Sequence, residues 1–173
     1  MQDARAVANF FIARSLKEGV PISTMTLLKV LYFAHAWHLV KFAAPLIAQP
    51  FEAWRYGPVC RVVYEQFKKE GGKPIVRLAE SLDIETGLFT PVAFNFDQYL
   101  QRFLNHILDY YTKFHPFTLS DLTHERGGPW EIIWSEAERR AVPGMIIPND
   151  LIETWFAGKD SLYWTNQERS REI

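Results

Sequence analysis

The stretch Ser23 to Lys41, STMTLLKVLYFAHAWHLVK, constrains the fold more than any other part of the chain. Apolar residues fall at positions 27, 28, 30, 31, 33, 34, 37, 39 and 40. That spread is too wide for a single amphipathic stripe, so more than one neighbour has to cover the helix it encodes. The Ser23 hydroxyl suits an N-cap, because it can accept a backbone N–H of the first turn. At 1.5 Å per residue the helix spans roughly 28 Å, about the width of a small domain. Lys29, His35 and His38 interrupt it, and a membrane span needs ~20 consecutive apolar residues. The stretch therefore predicts a central core helix.

A length of 173 residues suits one domain, and a content of 48% hydrophobic and 15% aromatic residues supplies its core. The net charge of −1 points to neither nucleic acid nor an anionic membrane, although the C-terminal half is the more acidic. A DNA-binding regulator is further disfavoured by the lack of a basic recognition helix. Cys60 is the only cysteine, so no disulfide can form within the chain and a reducing compartment is the default. The start, MQDARAVANFF, lacks the basic residues and long apolar run of a signal peptide. A cytoplasmic location is expected.

In chain order, Asp3 predicts the N-cap of a first helix running to about Lys17, with Ala4, Val7, Ala8 and Phe11 on its core face and Arg5 and Arg14 solvated. Pro50 excludes a helix from 46–56, which reads as short extended structure. Gly57-Pro58 reads as a helix start, with Val59, Val62, Val63 and Phe67 forming the stripe of a third helix. Residues 73–96 have no helical period and predict short strands or an irregular excursion. Asp97 caps a helix with Leu100, Phe103, Leu104, Ile107, Leu108 and Tyr111 on one face, closed by Pro116. Thr118 and Asp121 resemble a capping box, Pro129 opens another helix, and Asn149 caps a last one. The expected fold is mainly α: a single compact helical domain over 1–158 around a buried central helix, with a small β-hairpin or short-strand excursion. Residues 159–173 form a polar tail.

His35 and His38, three apart on the hub, share a face on which a metal could sit, with His124 or Glu125 as a third ligand. No ligand signature links them, and structural or hydrogen-bonding roles are favoured. Cys60 stands near a helix start, where a thiolate is stabilised, but a buried structural thiol fits better. No nucleophile elbow or phosphate-binding loop is present. Trp54, Arg55, Tyr56, Gly57 and Pro58 make the densest cluster of residue types that anchor protein interfaces. The competing reading puts the rings in the core. Arg55, with its fork of donors, suits a specific partner.

LLKVLYFAHAWHL, PLIAQPFEAWRYGPV, the Tyr-x-x-Phe at 64–67 and LTHERGGPW together resemble the Panacea domain family, the SocA-like antitoxin group also described as phage-associated proteins. The resemblance covers about residues 5–135. It departs at Gly127-Gly128, where a shorter link is expected, and offers no motif over 73–96. It implies an antitoxin that neutralises a cognate protein toxin by direct contact, with no catalytic residue, metal or cofactor. The partner-binding residues would be Trp54, Arg55, Tyr56, Gly57, Pro58, Val59, His124 and Trp130. The alternatives are an adaptor that hands the toxin to a cytoplasmic protease through the 159–173 tail, and a metal-dependent enzyme using His35, His38 and His124.

Overall fold

Helix α1, Ala4–Lys17, starts where the Asp3 carboxylate accepts the Arg5 N–H at 2.8 Å. The hub is α2, Thr24–Phe42, in a computed structural model that describes residues 1–159. Ser23 Oγ accepts the Thr26 N–H at 3.3 Å, and Ala43 in the left-handed region ends the helix. Every residue from Thr26 to Trp37 is buried, as the all-round apolar pattern requires. Its cover comes from α1 together with α3 (Arg61–Phe67), α4 (Gln98–Tyr111), α5 (Pro116–Thr123) and α7 (Asn149–Ala157). Phe33 stacks on Tyr111 at 4.1 Å, Trp37 Nε1 donates to the Tyr111 hydroxyl at 2.7 Å, and Trp37 meets Phe156 edge-on at 5.2 Å. Aromatic pairs of this kind add to the burial energy of the rings.

The Gly57-Pro58 pair does not start a helix. Strand β1, Phe51–Trp54, turns through Arg55 and Tyr56 into antiparallel β2, Gly57–Val59, with Trp54 opposite Gly57. Gly57 takes φ +101°, which glycine reaches without a Cβ penalty. Pro58 lies on an edge strand, where its missing N–H costs no ladder bond. Helix α3 begins only at Arg61. Strands β3 (Glu80–Leu82) and β4 (Phe89–Pro91) form a separate hairpin. Beyond helix α6, Pro129–Arg140, residues Ile146–Ile147 form strand β5. It pairs with β1 and completes a three-stranded sheet in the order β2-β1-β5. Two residues are too few to carry a periodicity, so nothing local in the sequence marks this strand.

Several local expectations are corrected by the packing. Arg14 is not solvated: its Nη1 donates to the Asn105 carbonyl at 2.8 Å and its guanidinium pairs with Asp109, tying α1 to α4. Arg5 forks onto Asp3. Helix α4 stops at Tyr111, and Pro116 opens α5 with His115 rather than Thr118 as N-cap. Proline at the first helical position loses no bond, so it begins this helix instead of closing the last. Pro148 precedes α7 as its N-cap, which frees Asn149 Oδ1 for His35 Nε2 at 2.9 Å. Fully buried Asn9 on α1 ties down the 73–96 excursion: it takes the Ala79 N–H at 2.6 Å and donates to the carbonyls of Ala79 and Val92. Among the described residues no helix is long and apolar enough to cross a membrane. The tail beyond Lys159, with Leu162, Tyr163 and Trp164, lies outside the described residues.

Leu31 is fully buried in the middle of α2. Leu31→Ala is expected to cost about 2–5 kcal/mol, the range for a core cavity that does not collapse. Urea unfolding followed by circular dichroism measures it, and an unchanged midpoint contradicts the hub reading.

Candidate partner-binding site

The β1–β2 hairpin is held from beneath by three side-chain donors. Lys29, 2% exposed on α2, points its Nζ at the carbonyls of Tyr56 and Pro58, the latter at 3.3 Å. Ser120 Oγ on α5 donates to the same Tyr56 carbonyl at 3.2 Å, using its second lone pair. Trp130 Nε1 at the start of α6 donates to the Trp54 carbonyl at 2.7 Å. Gly57 sits where these supports converge, and a Cβ there would run into Lys29 Nζ and Thr123 Oγ1. The carbonyls of 54, 56 and 58 thus face inward.

Burial of Lys29 pushes its amine down to about 7, because a charge in a poorly solvated place is disfavoured. The two carbonyls work in the opposite sense, since they accept best from an ammonium. Behind the hairpin, Arg61 grips Glu52 in a two-point contact at 2.9 and 2.7 Å, and Trp54 Nε1 donates to Glu52 Oε2 at 2.8 Å. Partial burial of Glu52 works to raise its pKa, but these bonds outweigh it and hold the carboxylate below its usual range. The Arg61 guanidinium also lies 5.1 Å from the Trp54 ring, and Tyr64 packs edge-on against that ring at 4.9 Å.

The expected site residues therefore divide. Arg55 and Tyr56 are exposed at the turn, the Arg55 guanidinium 5.5 Å over the Tyr56 ring. Trp54 and His124 are half-buried, while Gly57, Pro58, Val59 and Trp130 are buried. His124 meets Trp130 edge-on at 3.8 Å, and Trp134 stacks on Trp130 at 5.7 Å. The structure brings all eight residues into one neighbourhood and turns two of them fully outward. Sequence reasoning passed over Ser120 and Glu52, and treated Lys29 only as an interruption of an apolar helix. The signal for Lys29 was there: a cation inside such a run must find acceptors.

The three histidines are not gathered. His35 Nδ1 accepts the Ile47 N–H at 3.2 Å, so its proton belongs on Nε2, which faces Asn149. Burial pushes His35 down to about 4. His38 Nδ1 lies 2.6 Å from the Ala44 carbonyl. His124 instead belongs to the hairpin support, with Nδ1 3.4 Å from Ser120 Oγ. Among the described residues no group of three His, Cys, Asp or Glu is placed to hold a metal ion. Cys60 is fully buried and its thiol is pushed up to about 12, which fits the structural reading.

The family model for the SocA-like antitoxin Panacea domain matches residues 27–131, from α2 into the first turn of α6. The chain belongs to this family. Lys29, Ser120 and Trp130, which hold the hairpin from beneath, all lie inside that Panacea match. A curated relative, antitoxin SocA of Caulobacter vibrioides (strain NA1000 / CB15N), is 39% identical over 131 residues, covering 76% of this chain and 70% of the relative. No solved structure matches the chain.

Lys29→Met keeps the side chain's bulk but takes the Lys29 donor from the Pro58 carbonyl and leaves the Tyr56 carbonyl to Ser120, an expected loss of about 1–3 kcal/mol. The pH dependence has a definite sign. With an amine near 7 in the folded state and about 10.4 unfolded, the unfolded chain binds more protons between those values. Stability of the native chain should therefore rise with pH across that window, the desolvation cost being fully present only below it. Urea unfolding at pH 7 and pH 9.5 should show the gap to Lys29→Met widening at the higher pH. Parallel slopes would contradict the buried-amine reading.

Proposed function

We propose that this chain is an antitoxin that neutralises a cognate protein toxin by direct contact, and that the contact runs through the tip of the 54–59 hairpin. Family membership supports the antitoxin role, as does the name of the relative from Caulobacter vibrioides. One observation favours the tip: Arg55 and Tyr56 stand exposed on a turn whose carbonyls are fastened from three helices. Arginine and tyrosine are enriched among residues that dominate binding energy, and a rigid support lowers the ordering cost on binding. In this reading Gly57, Pro58, Val59, His124 and Trp130 hold the tip, and Trp54 flanks it. The role is one of binding rather than catalysis.

Arg55→Ala removes the guanidinium without touching the core. The variant should keep the native melting temperature and lose protection when co-expressed with the toxin. Full protection by the variant would remove Arg55 from the interface. Toxin abundance in the same cells reads the mechanism: a masked toxin stays abundant, whereas delivery to a cytoplasmic protease depletes it.

A further inference from the structure

A cavity of about 440 Å³ opens beside the hairpin. Leu28, Lys29, Val59, Trp54 and Tyr64 line it. Met25, half-buried, and exposed Tyr56 complete the apolar lining. The size falls within the ~300–1,000 Å³ typical of pockets that hold a discrete ligand group. Methionine is the side chain best able to adjust to an incoming shape. Arg55 and Lys68 line the same cavity from exposed positions.

The charges around this opening favour an anionic visitor. Arg55 holds no carboxylate among the described residues, and its guanidinium rests on the Tyr56 ring. Lys68 is paired with Glu65 three residues earlier, an exposed contact worth little and easily exchanged. The Lys29 amine beneath the turn adds positive charge when protonated. Neighbouring carboxylates are already engaged: Glu65 with Lys68, Glu52 with Arg61 and Glu70 with Arg77.

We propose that this cavity seats an aromatic or long aliphatic side chain of the toxin, flanked by carboxylates that meet Arg55 and Lys68. The proposal rests on the hairpin-contact reading and adds the chemistry of the partner segment. The ring or chain enters the space between Met25, Leu28 and Tyr64, and the acidic neighbours stay at the wet rim, where the pairing adds selectivity more than affinity.

Two short peptides test the chemistry without any toxin: acetyl-Glu-Trp-Glu-amide and acetyl-Lys-Trp-Lys-amide, titrated into the purified chain and followed by two-dimensional NMR. The acidic peptide should give saturable shifts confined to residues near 24–29, 54–59 and 64–71, with an affinity about tenfold above that of the basic one. Met25→Trp, which fills the cavity, should abolish the shifts. The double variant Arg55→Glu, Lys68→Glu, confined to exposed positions, should reverse the preference and remains informative if Met25→Trp does not fold. Equal affinities, or shifts elsewhere on the chain, overturn the proposal. Co-expression separates it from the reading it rests on. If Met25→Trp folds and still protects while Arg55→Ala fails, the hairpin contact stands and the cavity is not its seat. If Arg55→Ala protects fully, the hairpin contact falls and the cavity proposal falls with it.

Discussion

A lysine amine in the middle of an apolar helix has to be met by acceptors, and here they are backbone carbonyls of a turn. Lys29 satisfies the Tyr56 and Pro58 carbonyls from inside the core, which fixes the height and angle of the β1–β2 hairpin over α2. Gly57 follows from this arrangement, since the amine and the Thr123 hydroxyl occupy the space a side chain would need. An ammonium in so poorly solvated a place is costly by itself. Its retention is explained by what it organises, a turn that would otherwise carry unpaired polar groups against a core helix.

The same device recurs through the molecule. Asn9 supplies two amide donations and one acceptor to the backbone of the 73–96 excursion, and Gln66 supplies one donation and one acceptor to Glu80 from α3. His35 joins the Ile47 N–H to Asn149, so one imidazole ties a loop and the start of α7 to the hub. Short strands and loops contribute little burial of their own. A side chain on a rigid helix that takes over their backbone bonds holds them at a modest entropy cost, because the helix is already ordered.

This division of labour bears on function. The residues that make the hairpin rigid lie inside, while Arg55, Tyr56 and the lip of the adjoining cavity face out. Exposed residues carried by a well-tied turn can change without disturbing the core. The β3–β4 hairpin is built differently: Ile84, Leu88 and Phe89 are exposed, and nothing in the structure shows what covers them.

Periodicity and capping chemistry were enough for the helices. The all-round apolar pattern of 23–41 required a buried hub, and Asp3, Ser23 and Asp97 cap their helices as their side chains predict. The motif blocks around Trp54–Val59 and Thr123–Trp130 were legible as a family resemblance, and the structure shows what joins them: Trp130 holds the carbonyl of Trp54. Whether Gly57-Pro58 began a helix or a strand was not legible, because a glycine and a proline serve either, and the choice fell to the pairing with β1. Nor could the sequence say that Pro116 begins α5 or that Ile146–Ile147 joins the sheet, since two or three residues carry no period. Local spacing determines which residues can form a helix and which face is apolar. Only the tertiary structure decides which carbonyl a buried Lys29 meets, because that acceptor lies far along the chain and is chosen by packing, not by neighbours in sequence.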